Sequence, residues 1–372
     1  MKEEQIQEDL KYMKRAMELA EKGRGRTNPN PLVGAVIVKE NRIIGEGFHK
    51  AYGDHHAEVN AFEAAIEDCN GATLYVTLEP CHHYGKTPPC VDRVIKEKIG
   101  RVVIGLTDPN PLVMGKSIKK MMDKGIRVHT GVMEKELRIQ NRVFLHYMKK
   151  GYPHITLKTA MTLDGKIATA SGESKWITGS EARQWVHNFR DHVMGIMVGV
   201  NTVIADDPLL TTRLEKSEGK NPIRIVVDSK GRAPFNAKVF DVDEKTKTIL
   251  ATTESMNKDK MYSLERKGVK VAILPSDQGR VDLQALMEFL GEEKIDSVLL
   301  EGGATLNYSA LKGKIVQEVI AFIAPKLIGG LTAKTPVGGE GIPHLEDAIV
   351  LKDVEYSVVG KDLMVKGRIE EG

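Results

Sequence analysis

The stretch His56-Ala57-Glu58-Val59, answered further along by Pro80-Cys81 and by Pro88-Pro89-Cys90, holds the parts of a hydrolytic zinc centre. One imidazole and two thiolates make three protein ligands, which leaves the fourth position of a tetrahedral Zn²⁺ open for water, as a catalytic site requires. Glu58 then serves as proton carrier: two residues after the histidine, it can take a proton from that water and hand it to a leaving nitrogen. A closed structural knot would need a fourth ligand and would leave Glu58 unexplained. Cys69 stands outside the spacing and reads as a small buried or surface thiol, and His55 as an exposed residue at a helix start.

Working outward, apolar periodicity predicts a helix from Gln5 to Lys22, paired strands at Val33 to Val38 and Ile43 to Phe48, and a helix from His56 to Asp68 with Asp54 as its cap. The strand Ala72 to Leu78 delivers Pro80-Cys81, and Cys90 opens a helix running to Lys98, where the positive end of the helix dipole favours thiolates. Strand Arg101 to Leu106, helix Ser117 to Lys124, strand Ile126 to Thr130 and a last helix reaching Met148 complete the unit. Helices alternating with strands imply a sheet covered on both faces, a three-layer α/β/α domain. The boundary is expected at Lys149-Lys150-Gly151-Tyr152-Pro153, giving units 1–148 and 149–372.

The second unit is also α/β. Its strands are expected at His154 to Met161, Val193 to Gly199, Ile223 to Asp228, Thr248 to Thr252, Val269 to Leu274 and Ser297 to Leu300, with helices from Ser180 to Arg190 and Leu283 to Leu290. Glu301-Gly302-Gly303-Ala304-Thr305-Leu306 runs from the last strand through glycines into a helix, a junction that offers backbone N–H groups to a phosphate. No G-x-G-x-x-G occurs, so the standard dinucleotide fingerprint is absent.

Composition narrows the function. The 372 residues are 41 % hydrophobic, contain three cysteines and carry a formal charge of +3. Residues 1–148 hold 23 Lys and Arg against 20 Asp and Glu, and the remainder 31 of each. Neither half has the charge of a nucleic-acid binder. No apolar window spans a membrane and the start lacks an apolar signal core, so a cytoplasmic protein is expected.

The His-x-Glu and Pro-Cys pattern resembles that of zinc nucleobase deaminases, with one departure: eight residues, His82 to Pro89, separate the cysteines where the general signature has two. Taken with Thr27-Asn28-Pro29-Asn30-Pro31-Leu32-Val33-Gly34, His83-Tyr84-Gly85-Lys86-Thr87-Pro88-Pro89-Cys90, Met161-Thr162-Leu163-Asp164-Gly165-Lys166, Gly172-Glu173-Ser174-Lys175-Trp176-Ile177-Thr178, Ala205-Asp206-Asp207-Pro208-Leu209-Leu210-Thr211-Thr212-Arg213 and Glu301-Gly302-Gly303, the chain resembles the bifunctional deaminase/reductase of riboflavin biosynthesis along nearly its whole length. The wide cysteine gap is a feature of that family; His82 stands where many relatives have serine.

The resemblance implies a cytidine-deaminase-like domain followed by a dihydrofolate-reductase-like domain, using Zn²⁺ and NADPH on small phosphorylated pyrimidines, and a homo-oligomer, dimer or tetramer. It implies His56, Cys81 and Cys90 as zinc ligands, Glu58 as the catalytic residue, and Asn30, His49, His83 and Lys86 around the deaminase substrate. In the second half it implies Ala160, Trp176, Thr202, Asp206, Ser229, Gly303, Ala304, Thr305, Leu306, Asn307, Tyr308 and Ser309 at the nucleotide. Lys158, Ser174, Arg190, Leu210, Arg213 and Glu301 would meet the reductase substrate, with Asp164 near the chemistry. Selection of NADPH over NADH needs a 2′-phosphate pocket, for which Ser229, Lys230 and Arg232 after the strand ending at Asp228 are suggestive and no more, since Asp228 can equally point elsewhere. Two rival readings are a deaminase of another base, tRNA adenosine or free cytosine, with a non-catalytic C-terminal recognition module, and a non-catalytic zinc scaffold.

Overall fold

The computed structural model describes residues 3–82, 84, 88–110, 114–215 and 219–370 and divides the chain into two compact units, Met1–Gly151 and Tyr152–Gly372. In the first, α1 (Glu3–Glu21) precedes the hairpin β1 (Gly34–Lys39) and β2 (Arg42–Phe48). Next come α2 (Ala57–Glu63), β3 (Thr73–Leu78), α3 (Cys90–Lys96), β4 (Arg101–Leu106), α4 (Lys116–Asp123), β5 (Arg127–Thr130), α5 (Glu134–Gln140) and α6 (Arg142–Lys150). The strands lie in the order β2-β1-β3-β4-β5, antiparallel at β2/β1 and β1/β3 and parallel beyond.

Residue alternation along these strands builds the three layers. Ala35, Ile37, Leu74, Val76, Val102 and Ile104 face α2, α3 and α4 through Ala61, Phe62, Val91, Val94 and Met121. Val36, Val38, Tyr75 and Val103 face the other way, onto Tyr12, Met13, Ala16 and Leu19 of α1 and Leu137 of α5. Burying each such apolar side chain contributes about 1.5–3 kcal/mol. Gly47 allows α2 to pack directly on β2, since a Cβ there would sit 2.3 Å from Ala61 N and 2.4 Å from Ala57 O. That close approach fixes the start of α2, where His56 is found.

The second unit runs β6 (His154–Thr162), α7 (Ser180–His192), β7 (Gly195–Gly199), α8 (Val200–Asp206), β8 (Ile223–Val227), β9 (Thr248–Thr252), α9 (Lys258–Arg266) and β10 (Lys270–Ile273). The short hairpin β11 (Ser276–Asp277) and β12 (Arg280–Val281) leads to α10 (Leu283–Glu292), β13 (Ser297–Leu300), α11 (Ala304–Lys312), β14 (Glu318–Ala324), β15 (Leu351–Val359) and β16 (Asp362–Ile369). Nine strands form one sheet in the order β10-β9-β8-β7-β13-β6-β14-β16-β15, parallel except at β14/β16 and β16/β15.

Several details depart from the sequence reading. Asp54 does not cap α2; His56 holds the cap position in an extended backbone, with no side-chain cap bond, and the helix ends at Glu63. Val200–Asp206 is a helix although its β-branched and Asn residues favour other conformations, because Val200 and Val203 are buried in the core beside β7 and β8. Helix α9 and the C-terminal strands β14 to β16 extend the architecture beyond the elements expected.

Candidate active sites

Three elements bring the zinc-type residues together in the first unit. His56 caps α2, Glu58 is the second residue of that helix, Cys81 follows the end of β3 and Cys90 is the first residue of α3. His56 Nδ1 lies 3.2 Å from Cys90 Sγ and 3.5 Å from Cys81 Sγ, and the three ligand atoms all lie within 4.8 Å of one another. Those spacings, with this set of donors, fit one tetrahedral ion at bond lengths of about 2.0–2.3 Å. The Cys90 backbone N–H donates to Cys81 Sγ at 3.2 Å, so the start of α3 stabilises negative charge on that sulfur.

The electrostatics separate the roles. Hydrogen bonding from Cys90 draws the Cys81 thiol down to about 4, burial opposes this, and the bond with His56 adds to it. The bond to Cys81 raises His56 to about 8 against burial. Glu58 is 3 % exposed; burial pushes its carboxyl up to about 7 and the Cys81 charge pushes the same way. A carboxyl near neutrality can both take up and give back a proton.

A polar chain flanks this cluster. His49 is buried, lies edge-on to the His56 ring with centroids 5.5 Å apart, faces the His55 carbonyl through Nδ1 at 3.1 Å and faces Asn30 Nδ2 through Nε2 at 3.1 Å. Burial lowers the His49 pKa, so the neutral ring keeps one proton, on Nδ1 toward the carbonyl, and Nε2 accepts from the Asn30 amide. Asn30 Oδ1 is then turned the other way. The Asn30 loop is itself pinned by buried Asn141, whose amide bonds both the N–H and the carbonyl of Leu32, at 2.8 and 3.0 Å. Asn141 was not singled out from the sequence, where one Asn between two helices carries no signal. His83 and Lys86 lie outside the described residues.

In the second unit a cleft of about 1600 Å³ opens along the sheet. Lys158, Ser174, Arg190, Leu210, Arg213 and Glu301 all line it, as do Ala160, Trp176, Thr202, Asp206, Ser229, Gly303, Ala304, Thr305, Leu306 and Ser309. Asn307 and Tyr308 are not among the described residues that line it. Asn307 is buried, donates to the Pro336 carbonyl at 2.8 Å, and has Oδ1 where a Cβ on Gly302 would fall, while the Tyr308 ring packs against Gly339. Both lie on other faces of α11. Asp164 is not among the lining residues either: its carboxylate accepts from Thr162 Oγ1 at 2.6 Å and from the N–H groups of Ile328 and Gly329, clasping a loop, and these bonds, that to Thr162 foremost, hold its pKa at about 2.

Glu301 organises one end of this cleft. Its Oε1 accepts from Arg190 Nε and Nη2 at 2.9 Å, and its Oε2 lies 3.6 Å from Lys158 Nζ. Burial opposes ionisation, but the Arg190 and Lys158 charges prevail and hold its carboxyl at about 2. Arg190 also donates to the Thr211 carbonyl, and Arg213 to the Thr211 hydroxyl, which spaces the two guanidinium groups. His187, on the same face of α7 one turn before Arg190, lines the cleft as well and was not read from the sequence. At the β8 end, Asp228 is buried with Oδ2 accepting from the Ala233 N–H, so it turns into its own loop, while Lys230, Arg232 and Arg280 line the cleft beside Ser229.

Comparison with known proteins gives concordant results. Residues 153–365 match the family of the RibD C-terminal domain, and residues 6–106 match the cytidine and deoxycytidylate deaminase zinc-binding region. The riboflavin biosynthesis protein RibD of Actinobacillus pleuropneumoniae is 48 % identical over 357 residues, 96 % of this chain and 94 % of that protein. That of Escherichia coli is 40 % identical over 96 % of this chain and 98 % of its own length. Among solved structures, RibD of Acinetobacter baumannii superposes with a TM-score of 0.89 at 36 % identity, covering 98 % of this chain and all of that one. A diaminohydroxyphosphoribosylaminopyrimidine deaminase/5-amino-6-(5-phosphoribosylamino)uracil reductase of Thermotoga maritima does so with a TM-score of 0.84 at 39 % identity, over 98 % of this chain and all of that one.

Proposed function

The chain belongs to the RibD family of riboflavin-biosynthesis proteins, and from that premise we propose how its residues share the work of a bifunctional zinc-dependent deaminase and NADPH-dependent reductase. The first reaction removes an amino group, as ammonia, from 2,5-diamino-6-(5-phosphoribosylamino)pyrimidin-4(3H)-one. The second reduces the ribosyl side chain of the product to ribityl, giving 5-amino-6-(5-phosphoribitylamino)uracil. Residues 1–148 are assigned to the deaminase and 149–372 to the reductase. The observation that carries the reading is the cluster of His56, Cys81 and Cys90 beside a buried Glu58.

In the deaminase, His56, Cys81 and Cys90 hold the metal. Zn²⁺, when bound, supplies the Lewis acidity that makes hydroxide available near pH 7. Glu58 accepts the proton released as water becomes nucleophilic and returns it to the departing nitrogen, which leaves as ammonia. Asn30, with its amide N–H committed to His49, offers Oδ1 to an N–H edge of the pyrimidine. His49 thus acts through Asn30 as well as closing the wall beside His56. His83 and Lys86 complete the substrate cleft in this reading, Lys86 at the phosphate.

In the reductase, Lys158, Arg190 and Arg213 bind the phosphorylated sugar chain, and the fixed charge of Glu301 orients Lys158 and Arg190. NADPH, when bound, supplies the hydride. Ala160, Trp176, Thr202, Asp206, Ser229 and the start of α11 from Gly303 to Leu306, with Ser309, line its place. With Asp228 turned inward, Lys230 and Arg232 are left to meet the 2′-phosphate that distinguishes NADPH from NADH.

Among the described residues no helix is long and apolar enough to cross a membrane. We place the enzyme in the cytoplasm, a reading supported by three free cysteines, two of them in the ligand cluster. A homo-oligomer, dimer or tetramer, is supported by the exposed edge strand β15, where Tyr356 and Val358 are 71 % and 75 % exposed; light scattering at the monomer mass would contradict it. The test of function is one assay with the purified chain, the diaminopyrimidinone phosphate, zinc and NADPH, each omitted in turn. Ammonia release should need zinc and substrate only, and NADPH oxidation should need all four. Ammonia release without zinc would refute the first half of the reading, and absence of NADPH oxidation the second.

A further inference from the structure

At the Arg190 end of the reductase cleft, the His187 ring is flanked by two Arg213 donors. His187 Nδ1 is 3.3 Å from the Arg213 backbone N–H. A backbone N–H only donates, so in the tautomer whose Nδ1 accepts from it the proton of the neutral imidazole sits on Nε2. Nε2 in turn lies 3.3 Å from Arg213 Nη2, a second donor. Arginine has no acceptor to offer, so in that tautomer two N–H donors face each other at contact distance. A protonated imidazole does not resolve this, because it would place a donor on Nδ1 as well. Burial, followed by the Arg190 and Arg213 charges, pushes His187 down to about 4, which keeps the ring neutral near pH 7.

An acceptor such as a phosphate oxygen would serve both donors, and the surrounding charge favours an anion. Arg190 is held by Glu301 and the Thr211 carbonyl, so its guanidinium is fixed before any ligand arrives, and Arg213 Nη1 bonds Thr211 Oγ1. Lys158, Arg190 and Arg213 against Glu301 leave an excess of two positive charges at this end of the cleft. A phosphate monoester at pH 7 carries −1.5 to −2 and three acceptor oxygens, which matches the charge and the open donors.

We propose that His187 is a phosphate-binding residue of the reductase site, its Nε2–H sharing the 5-phosphate of the substrate with Arg213 and Arg190. This deepens the reading of the site given above and rests on its phosphorylated substrate. A neutral histidine adds a directional donor without adding charge, and its Nδ1 acceptor fixes the Arg213 backbone that carries the second arm. A residue that merely packed would affect every substrate of the site alike; a phosphate ligand affects only phosphorylated ones.

The experiment is steady-state reduction by the full-length chain of the deaminated substrate and of its dephosphorylated riboside, in wild type, His187→Ala and His187→Gln. Loss of one donor to a charged group should raise KM for the phosphorylated substrate about tenfold in His187→Ala. The turnover number and the KM of the riboside should stay near their wild-type values. Glutamine can accept from the Arg213 N–H and donate to phosphate, so His187→Gln should bring KM back most of the way. His187→Leu, which fills the space without a donor, carries the alanine expectation should that variant fold poorly, and NADPH affinity read by nucleotide fluorescence reports on the integrity of the cleft. An equal rise in KM for both substrates, or none for the phosphorylated one, would overturn the proposal. A wild-type enzyme that does not prefer the phosphorylated substrate would remove its premise and the phosphate reading of Arg190 and Arg213 together.

Discussion

Glu58 and Glu301 are the same side chain placed in two enclosed sites, and their surroundings drive them to opposite charge states. Glu58 is sealed under α2 with sulfur ligands around it, so burial and the Cys81 charge raise its carboxyl to about 7. Glu301 is also largely enclosed, yet Arg190 and Lys158 outweigh burial and hold it at about 2. A dication held by His56, Cys81 and Cys90 would favour the ionised form of Glu58. The difference teaches that one enclosure suits a glutamate to exchanging a proton, and the other to remaining a fixed anion that aligns cations.

The largest expected effect is from stripping the metal. Dialysis against a chelator should abolish ammonia release and restore it on zinc addition, while NADPH oxidation with supplied deaminated substrate continues; parallel loss of both activities would break the separation. Next, Glu301→Gln should lower reductase kcat/KM by about 10²-fold, as removing one member of a buried charge pair costs roughly 3–5 kcal/mol before relaxation. Smaller again is Arg232→Ala, which should reduce the preference for NADPH over NADH by about tenfold, through NADPH binding rather than turnover. An unchanged ratio would remove Arg232 from the 2′-phosphate site.

The smallest effect sharpens the pH behaviour of the second unit. The folded-state pKa of Glu301 lies below its ordinary 4.5, so its ionised form contributes stability that is present above that value and lost as pH falls toward about 2. His187 at about 4 lies below its ordinary 6.5; the unfolded chain binds that proton first, so stability also declines from about pH 6.5 to 4. Calorimetric melting of the reductase unit should therefore drop in two stages on acidification, and His187→Leu should erase the upper one. A melting temperature indifferent to pH over 4 to 6.5 in the parent would contradict the assignment for His187.

The first site was far more legible in the sequence than the second, for a physical reason. His56, Glu58, Cys81 and Cys90 lie within 35 residues, and metal ligation restricts both residue type and spacing, so few other arrangements explain them. The second site draws on strands and helices from Lys158 to Ser309, and its charged residues look like ordinary surface groups until the sheet gathers them. His187 was invisible because a lone histidine on a helix carries no signal without its partner at Arg213. Gly303 to Ser309, read as a continuous nucleotide-binding run, is mostly helix, so only part of it can face one cleft; Asn307 and Tyr308 fall on other faces. Val200–Asp206 shows local propensity overridden by burial, and Asp164 shows a carboxylate whose loop-clasping role is evident only from its partners.

The central claim is that one chain holds two sites with independent proton and charge requirements, and a crossed pair of variants tests it most directly. Ammonia release and NADPH oxidation are followed together for Glu58→Gln and Glu301→Gln, starting from the diaminopyrimidinone phosphate or from its deaminated product. Glu58→Gln should lose ammonia release by about 10²–10⁴-fold and oxidise NADPH at the parent rate only when given the deaminated product. Glu301→Gln should release ammonia normally and oxidise little NADPH from either. NADPH oxidation by Glu58→Gln on the undeaminated substrate, or loss of ammonia release in Glu301→Gln, would contradict the account.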